Sequence, residues 1–280
     1  MIIPKPYLAQ TRKTHPHLSE RMIVKDLALS YLLQELTKCS ELVFKGGTFL
    51  TKCYLNYHRL SEDLDFSVPH LHGKSPYVIR RYVKETFLPL LQTIADKYAF
   101  EFNKEEFDTP ETRYTPIKRS KQLFRFFVYL NEHEPNPIKI ELSFIDPQTP
   151  TQARVTKQLL HTSKHLLYPL HQHKTTCLPL TYLIAEKIRA LLTRPEGILE
   201  RDIYDLYRLH HLSAVFSFTE EQKIVINRSP QKQLIKKRLQ ELQTYVLFTE
   251  IGELALTPIN KSTYTAFFTQ LKTILTQTPS

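Results

Sequence analysis

Leu42-Val43-Phe44-Lys45-Gly46-Gly47-Thr48 is a short apolar run that ends on a glycine pair, and Asp63-Leu64-Asp65-Phe66-Ser67-Val68 follows it with strict polar–apolar alternation. The first stretch predicts a strand, a tight turn and a helix start over 48–57. The second predicts another strand, with Asp63 and Asp65 on one side. Upstream, Leu18, Met22, Leu29, Leu32, Leu33 and Leu36 recur at helical spacing, so residues 18–39 read as a helix with Ser19 as its N-cap. Downstream, Ser75-Pro76 opens a helix expected over 76–100. Residues 122–130 (QLFRFFVYL) and 138–144 (IKIELSF) read as strands. In the latter, Ile138, Ile140, Leu142 and Phe144 share one face, and Lys139, Glu141 and Ser143 the other. Beyond Pro147 and Pro150 the strand signals fade, and helices are expected over 179–194, 200–212, 230–247 and 263–276.

The expected organisation is therefore an α/β (α+β) region over residues 1–150 and a mainly helical domain over 151–280. A chain of 280 residues with 41% hydrophobic and 24% charged residues buries a substantial core. Five glycines in total exclude collagen-like and glycine-rich linker sequences. No apolar run long enough to span a bilayer occurs, and MIIPKPYLAQTRK lacks the apolar stretch of a signal peptide. A cytoplasmic protein without a membrane partner is expected. Three widely spaced cysteines, Cys39, Cys53 and Cys177, fit neither a disulfide framework nor a zinc finger.

The formal charge of +10 is uneven: residues 1–150 carry 21 basic and 18 acidic groups, residues 151–280 carry 17 and 10. A basic C-terminal half is the footprint of a polyanion such as RNA, or simply a soluble surface. Arg228, Lys232, Lys236, Lys237 and Arg238 are its densest cluster, and Arg113, Lys118, Arg119, Lys121 and Arg125 form a second basic run.

Two carboxylates on one strand face repel unless a cation sits between them. Asp63 and Asp65 therefore point to a divalent metal, Mg²⁺ or Mn²⁺ by the hardness of the oxygens, or stand on an exposed hairpin. Glu141, polar in an apolar strand, is the candidate third ligand. Gly46, Gly47 and Thr48 place a glycine turn before a helix start, where backbone N–H groups can meet a phosphate. Glu186-Lys187-Ile188-Arg189 and Arg201-Asp202-Ile203-Tyr204-Asp205 lie on amphipathic helices. Their charges are either solvated pairs such as Glu186–Arg189 and Asp205–Arg208, or a site in which Lys187 meets a triphosphate and Asp205 orients a nucleophile or Lys187. His15/His17, His70/His72 and His171/His173 are scattered His-x-His pairs without a matching carboxylate helix.

Five segments in order resemble the AbiEii/AbiGii toxin family of nucleotidyltransferases. They are Phe44-Lys45-Gly46-Gly47-Thr48-Phe49-Leu50, Arg59-Leu60-Ser61-Glu62-Asp63-Leu64-Asp65-Phe66, Lys139-Ile140-Glu141-Leu142-Ser143, Glu186-Lys187-Ile188-Arg189-Ala190-Leu191 and Arg201-Asp202-Ile203-Tyr204-Asp205-Leu206-Tyr207. The resemblance spans residues 44–207. It implies a polymerase-β-like nucleotidyltransferase core with a mixed sheet, followed by a helical domain that completes the active site. It also implies a toxin of a toxin–antitoxin or phage-defence system, partnered by an antitoxin. Some relatives extend the acceptor end of tRNA.

Carried over, Asp63 and Asp65 match the metal-binding acids, and Lys187 and Asp205 match the Lys and Asp of the later motifs. Ser61 matches a serine modified in some relatives. Glu141 stands where Asp is common, while Phe49 and Lys52 stand where small or apolar residues are. The expected reaction transfers NMP from an NTP to an RNA or protein hydroxyl. Lys45, Gly46, Gly47, Thr48, Arg59, Ser61 and Lys187 would bind the nucleotide. Glu141 or Asp205 would align the hydroxyl, and Lys187 would neutralise pyrophosphate. Two alternatives use the same fold: γ-phosphoryl transfer, or a non-catalytic RNA- or protein-binding module.

Overall fold

A computed structural model describes residues 5–102, 123–130, 137–144, 155–158, 174–212, 231–248, 251 and 255–276. The chain divides into two compact units. One comprises Met1–Asn56 and Leu60–Leu178; the other comprises Tyr57–Arg59 and Pro179–Ser280.

The first unit is built on a mixed seven-stranded sheet in the order β3-β4-β5-β2-β1-β7-β6. Its strands are β1 Val43–Lys45, β2 Asp63–Ser67, β3 Glu101–Phe102, β4 Leu123–Tyr129, β5 Ile138–Ser143, β6 Val155–Gln158 and β7 Lys174–Cys177. β2 runs antiparallel to β1 and parallel to β5, and β1 runs parallel to β7. The expected alternation is present. Leu64, Phe66, Ile138, Ile140, Leu142, Phe124, Phe126 and Val128 are buried on one face. Asp63, Asp65, Lys139, Glu141 and Arg125 occupy the other and keep contact with solvent. Burying an aliphatic or aromatic side chain is worth roughly 1.5–3 kcal/mol, so these eight residues fix the register of three strands; a one-residue slip would expose all of them.

Helices cover the apolar face. α1 is Lys5–Thr14 and α2 is Glu20–Leu36, the latter capped by the Ser19 hydroxyl, which accepts from Met22 N–H. The long helix expected over 76–100 is interrupted: α4 Pro76–Tyr82 passes through a π-helical turn, Val83–Phe87, into α5 Leu88–Tyr98. The extra residue of such a turn re-aims the side chains that follow it. Phe87, at its end, packs on Phe126 of β4 with ring centroids 4.9 Å apart. After β1, α3 Gly46–Phe49 likewise continues as a π-helical turn, Leu50–Tyr54. Lys52 on that turn is wholly buried, and its ammonium donates to Asp26 Oδ1 at 3.2 Å and Ser30 Oγ at 2.8 Å.

β6 and β7 lie beyond residue 150, where the sequence reading placed no strands. Neither VTKQ nor KTTC carries an apolar run; β7 is held through Phe44↔Cys177 pairing with β1.

The second unit contains α6 Leu180–Thr193, α7 Glu200–Leu212, α8 Lys232–Thr244 and α9 Lys261–Thr276. Leu183, Ile184, Ile188, Leu191 and Leu192 of α6 and Ile203, Leu206 and Leu209 of α7 form its core with Tyr264, Phe267 and Leu271 of α9. Residues 57–59 join this unit: His58 C=O accepts from Leu256 N–H at 2.9 Å, and Arg59 bridges to Ala255.

Candidate active site

The polar face of the sheet carries an ordered row of charge. Lys45 pairs with Asp65 across β1–β2, Asp65 with Glu141 across β2–β5, and Glu141 with Arg125 across β5–β4. Two acids stand side by side between two bases. In the next row, Asp63 faces Lys139. Lys139 Nζ lies 3.1 Å from Asp63 Oδ2 and 3.4 Å from Glu141 Oε1, and Arg125 Nε donates to the same Glu141 oxygen at 2.7 Å.

Asp65 differs from its neighbours. Among the described residues its carboxylate has neither a hydrogen-bond donor nor an ion-pair partner. Burial, with repulsion from Glu141 and Asp63, pushes its carboxyl up to about 7, against the opposing pull of Lys45 and Lys139. Carboxylates on neighbouring strands, with Cα atoms about 5 Å apart, repel by roughly 3 kcal/mol at an effective dielectric near 20. The two lysines do not offset that. Burial also works against ionisation of Glu141, but Lys139 and Arg125 overcome it and hold its carboxyl below the usual range. Lys139 loses to burial and gains more from Asp63 and Glu141, so its ammonium is reinforced.

The glycine turn abuts the same carboxylate. Gly46 has φ +79°, and a Cβ added there would lie 2.0 Å from Asp65 Oδ2. Only glycine combines that backbone conformation with room for the acid. Thr48 ties the turn to the start of β2: its hydroxyl shares a 2.7 Å hydrogen bond with Ser61 Oγ and also meets Asp63 C=O.

The second unit holds a charge network around Asp205, whose side chain is fully buried. Arg59 grips Asp205 with two bonds, Nε to Oδ1 and Nη2 to Oδ2, both 2.7 Å. Lys187 Nζ lies 2.7 Å from Asp205 Oδ2 and 2.7 Å from Asp202 Oδ1, and Arg194 Nη2 lies 3.0 Å from Asp202 Oδ2. Burial opposes ionisation of both acids, yet Arg59 and Lys187 hold Asp205 well below the ordinary carboxylate range, and Lys187 and Arg194 lower Asp202. His58 Nε2 is 2.9 Å from Asp205 Oδ1, so that nitrogen carries the proton and donates. Burial pulls the imidazole down to about 4, leaving it neutral at pH 7.

Residues 28–274 match the family described as nucleotidyl transferase AbiEii toxin, type IV TA system. The chain belongs to the AbiEii nucleotidyltransferase toxin family. Its fold is that of MenT4, a nucleotidyltransferase toxin from Mycobacterium tuberculosis H37Rv, at 18% identity and a TM-score of 0.60. The match covers 98% of this chain and 90% of that one. An H. pylori protein described as a nucleotidyltransferase candidate matches at 19% identity and a TM-score of 0.45, over 93% and 97% of the two chains. No curated protein sequence matches this chain. The mixed α/β expectation for the fold and the nucleotidyltransferase expectation for the activity thus hold: this AbiEii protein is a nucleotidyltransferase toxin of the type IV toxin–antitoxin class.

The residues expected from sequence fall into groups. Asp63, Asp65, Glu141, Lys45, Gly46 and the Thr48–Ser61 pair come together in the first unit, where Gly47 follows Gly46 in α3. Lys187, Asp205 and Arg59 come together in the second. The solvated Asp205–Arg208 pair is not formed, because both Asp205 oxygens are taken by Arg59, Lys187 and His58; Glu186–Arg189 is formed, at 2.8 Å.

Lys232, Lys236 and Lys237 are exposed on α8. Arg238 is buried instead, donating to Arg194 C=O at 2.7 Å and pairing with Glu241. Arg228, Arg113, Lys118, Arg119, Lys121, His171 and His173 lie outside the described residues. Lys139 carries no motif signal of its own, although strand alternation places it on the same face as Glu141. His58 has no comparable signal, since its partner Asp205 comes from a distant segment, whereas Asp202 meets Lys187 and Arg194 from the neighbouring helix and the turn after it.

Carboxylate oxygens are the donors Mg²⁺ and Mn²⁺ take, and an unpartnered acid between two others is a position a cation would relieve. The donor chemistry of Asp63 and Asp65 therefore fits such an ion. Among the described residues no three His, Cys, Asp or Glu side chains converge on a metal position; Glu141, the expected third ligand, is engaged by Arg125 and Lys139. No helix among the described residues is long and apolar enough to cross a membrane.

Proposed function

We propose that this toxin transfers a nucleoside monophosphate from an NTP to a hydroxyl of RNA, with Asp63 and Asp65 as holders of Mg²⁺ or Mn²⁺. The observation that carries the reading is the Asp65 carboxylate, which meets no partner among the described residues, is flanked by Asp63 and Glu141 and is set against the Gly46 turn. A bound divalent ion supplies charge neutralisation for the triphosphate and orients it. Lys45 and Lys139 add fixed positive charge beside the acids. Glu141, held ionised by Arg125 and Lys139, receives the proton of the attacking hydroxyl. The hydroxyl oxygen bonds to the α-phosphorus as the α–β bridging P–O bond breaks, and pyrophosphate leaves. Lys187 and Asp205 are carried as reaction residues on the family motif; Arg59 and His58 orient Asp205.

RNA is favoured as acceptor by the basic excess, of which Lys232, Lys236 and Lys237 form an exposed stripe. A tRNA 3′ end is the acceptor the resemblance points to, and a cognate antitoxin the protein partner. The test incubates the protein with Mg²⁺, total cellular RNA and each NTP, labelled at the α or the γ phosphorus. Label from the α position in RNA, lost in Asp63→Asn and Asp65→Asn, supports the reading. Label transferred only from the γ position would replace it with phosphoryl transfer. No transfer of either label to RNA or protein would leave a binding module.

A further inference from the structure

Lys139 sets its ammonium against both Asp63 and Glu141, so it contests the oxygens that an ion shared by the two acids would use. Its ammonium nitrogen is within 3.1 Å of Asp63 Oδ2 and 3.4 Å of Glu141 Oε1. An ion taking these same two oxygens as ligands would compete with the ammonium for them and be repelled by its charge. The placement is built into the sheet: Lys139 is the register partner of Asp63 and lies two residues before Glu141 on the same strand face. Arg125 holds the same Glu141 oxygen at 2.7 Å. Asp65, by contrast, meets neither lysine nor arginine within ion-pair distance among the described residues. The acids are therefore divided: Glu141 belongs to two side-chain cations, Asp63 is shared, and Asp65 awaits a partner.

We infer that Lys139 is a positioning residue that restricts this site to one divalent ion, held through Asp63 and Asp65, and itself supplies the second positive charge. The inference rests on the metal reading proposed above and goes beyond it, because that reading is silent on how many ions bind. An ammonium cannot coordinate a hydroxyl as a metal ion does, so it activates the attacking group far less. Activation of the acceptor is then left to Glu141, whose Oε1 is held by Arg125 and Lys139.

The test counts Mn²⁺ bound to the purified full chain, from the electron paramagnetic resonance signal of the free ion, near neutral pH and without nucleotide. One Mn²⁺ per chain is expected in wild type and in Lys139→Arg, which keeps the charge in place. Two are expected in Lys139→Gln, and one again in Lys139→Gln combined with Glu141→Gln, which removes the freed ligand. Two ions in wild type, or a single ion in a folded Lys139→Gln, would overturn the inference and leave the metal reading standing. No Mn²⁺ in wild type would overturn both. If Lys139→Gln does not fold, the wild-type and Lys139→Arg counts still decide, since a second ion in either contradicts the proposal.

Discussion

Asp65 on β2 and Glu141 on the parallel strand β5 are register partners, so two carboxylates occupy adjacent positions in the middle of the sheet. Adjacent like charges destabilise a sheet. Arg125 and Lys139 relieve Glu141, whereas Asp65 is left with the burden, and its carboxyl rises to about 7. Such a position is a cost to the fold, and the proposed cation-binding role would account for it.

Replacing Asp65 should therefore stabilise the metal-free protein while removing its activity. An Asp whose folded pKa exceeds its unfolded value binds a proton more readily when folded. Its penalty is full above pH 7 and disappears as pH falls toward 4. Discounted for partial exposure, Asp65→Asn should gain about 2 kcal/mol near pH 8 and nothing near pH 4. Thermal melts of the two proteins across that range check this; equal melting temperatures at pH 8 would sink it.

His58 acts with the opposite sign in the same window. Its folded pKa of about 4 lies below the unfolded 6.5. The unfolded chain takes up the proton first, so stability is lost as pH falls from about 6.5 to 4, by up to about 3 kcal/mol. In wild type the Asp65 term masks part of this loss. Denaturant titrations of Asp65→Asn expose it, and a flat pH profile for that variant would refute the buried neutral imidazole.

Gly46→Ala combines a strained φ with a Cβ driven into Asp65. Gly73 has a similar φ of +72° but nothing within 4 Å of an added Cβ, so Gly73→Ala reports backbone strain alone. The expectation is a loss of about 1 kcal/mol for Gly73→Ala with full activity. Gly46→Ala should lose more stability and at least about 100-fold in transfer rate, because the acid must move. Matching effects from the two substitutions would argue against the close approach.

Lys52 and Asp26 form a buried ion pair away from the acidic face. Burial lowers the Lys52 ammonium's pKa, opposed by Asp26. Asp26→Ala strands that charge and should cost about 3–5 kcal/mol, while Asp26→Leu with Lys52→Met should recover most of it. Chemical denaturation of the three proteins checks the pattern. A single variant as stable as the double one would deny the coupling.

Much of the first unit was legible in the sequence because its strands alternate cleanly. IKIELS and DLDFS each display one apolar and one polar face, and the structure keeps both. The Ser19 and Ser75 caps were equally readable, since each depends on local chain only. β6 and β7 were not, because four-residue strands take their place from pairing partners rather than from pattern. The π-helical turns at 50–54 and 83–87 also leave no mark in helical periodicity. In the site, the acids and the glycine turn could be named in advance, but Lys139 acquires its meaning only from its register with Asp63. Asp205 reads from its own helix as either a solvated pair or a site residue, and the family motif points to the latter; the residues that bury and hold it, His58 and Arg59, lie about 150 positions earlier.

The most direct test of the central claim measures incorporation of α-labelled NMP into RNA by wild type and Asp65→Asn across a Mg²⁺ titration, with both proteins shown to be folded. The account predicts a wild-type rate that rises and saturates with Mg²⁺, and an Asp65→Asn rate lower by at least about 10³-fold at every concentration. An Asp65→Asn protein that keeps the wild-type rate within tenfold would contradict it.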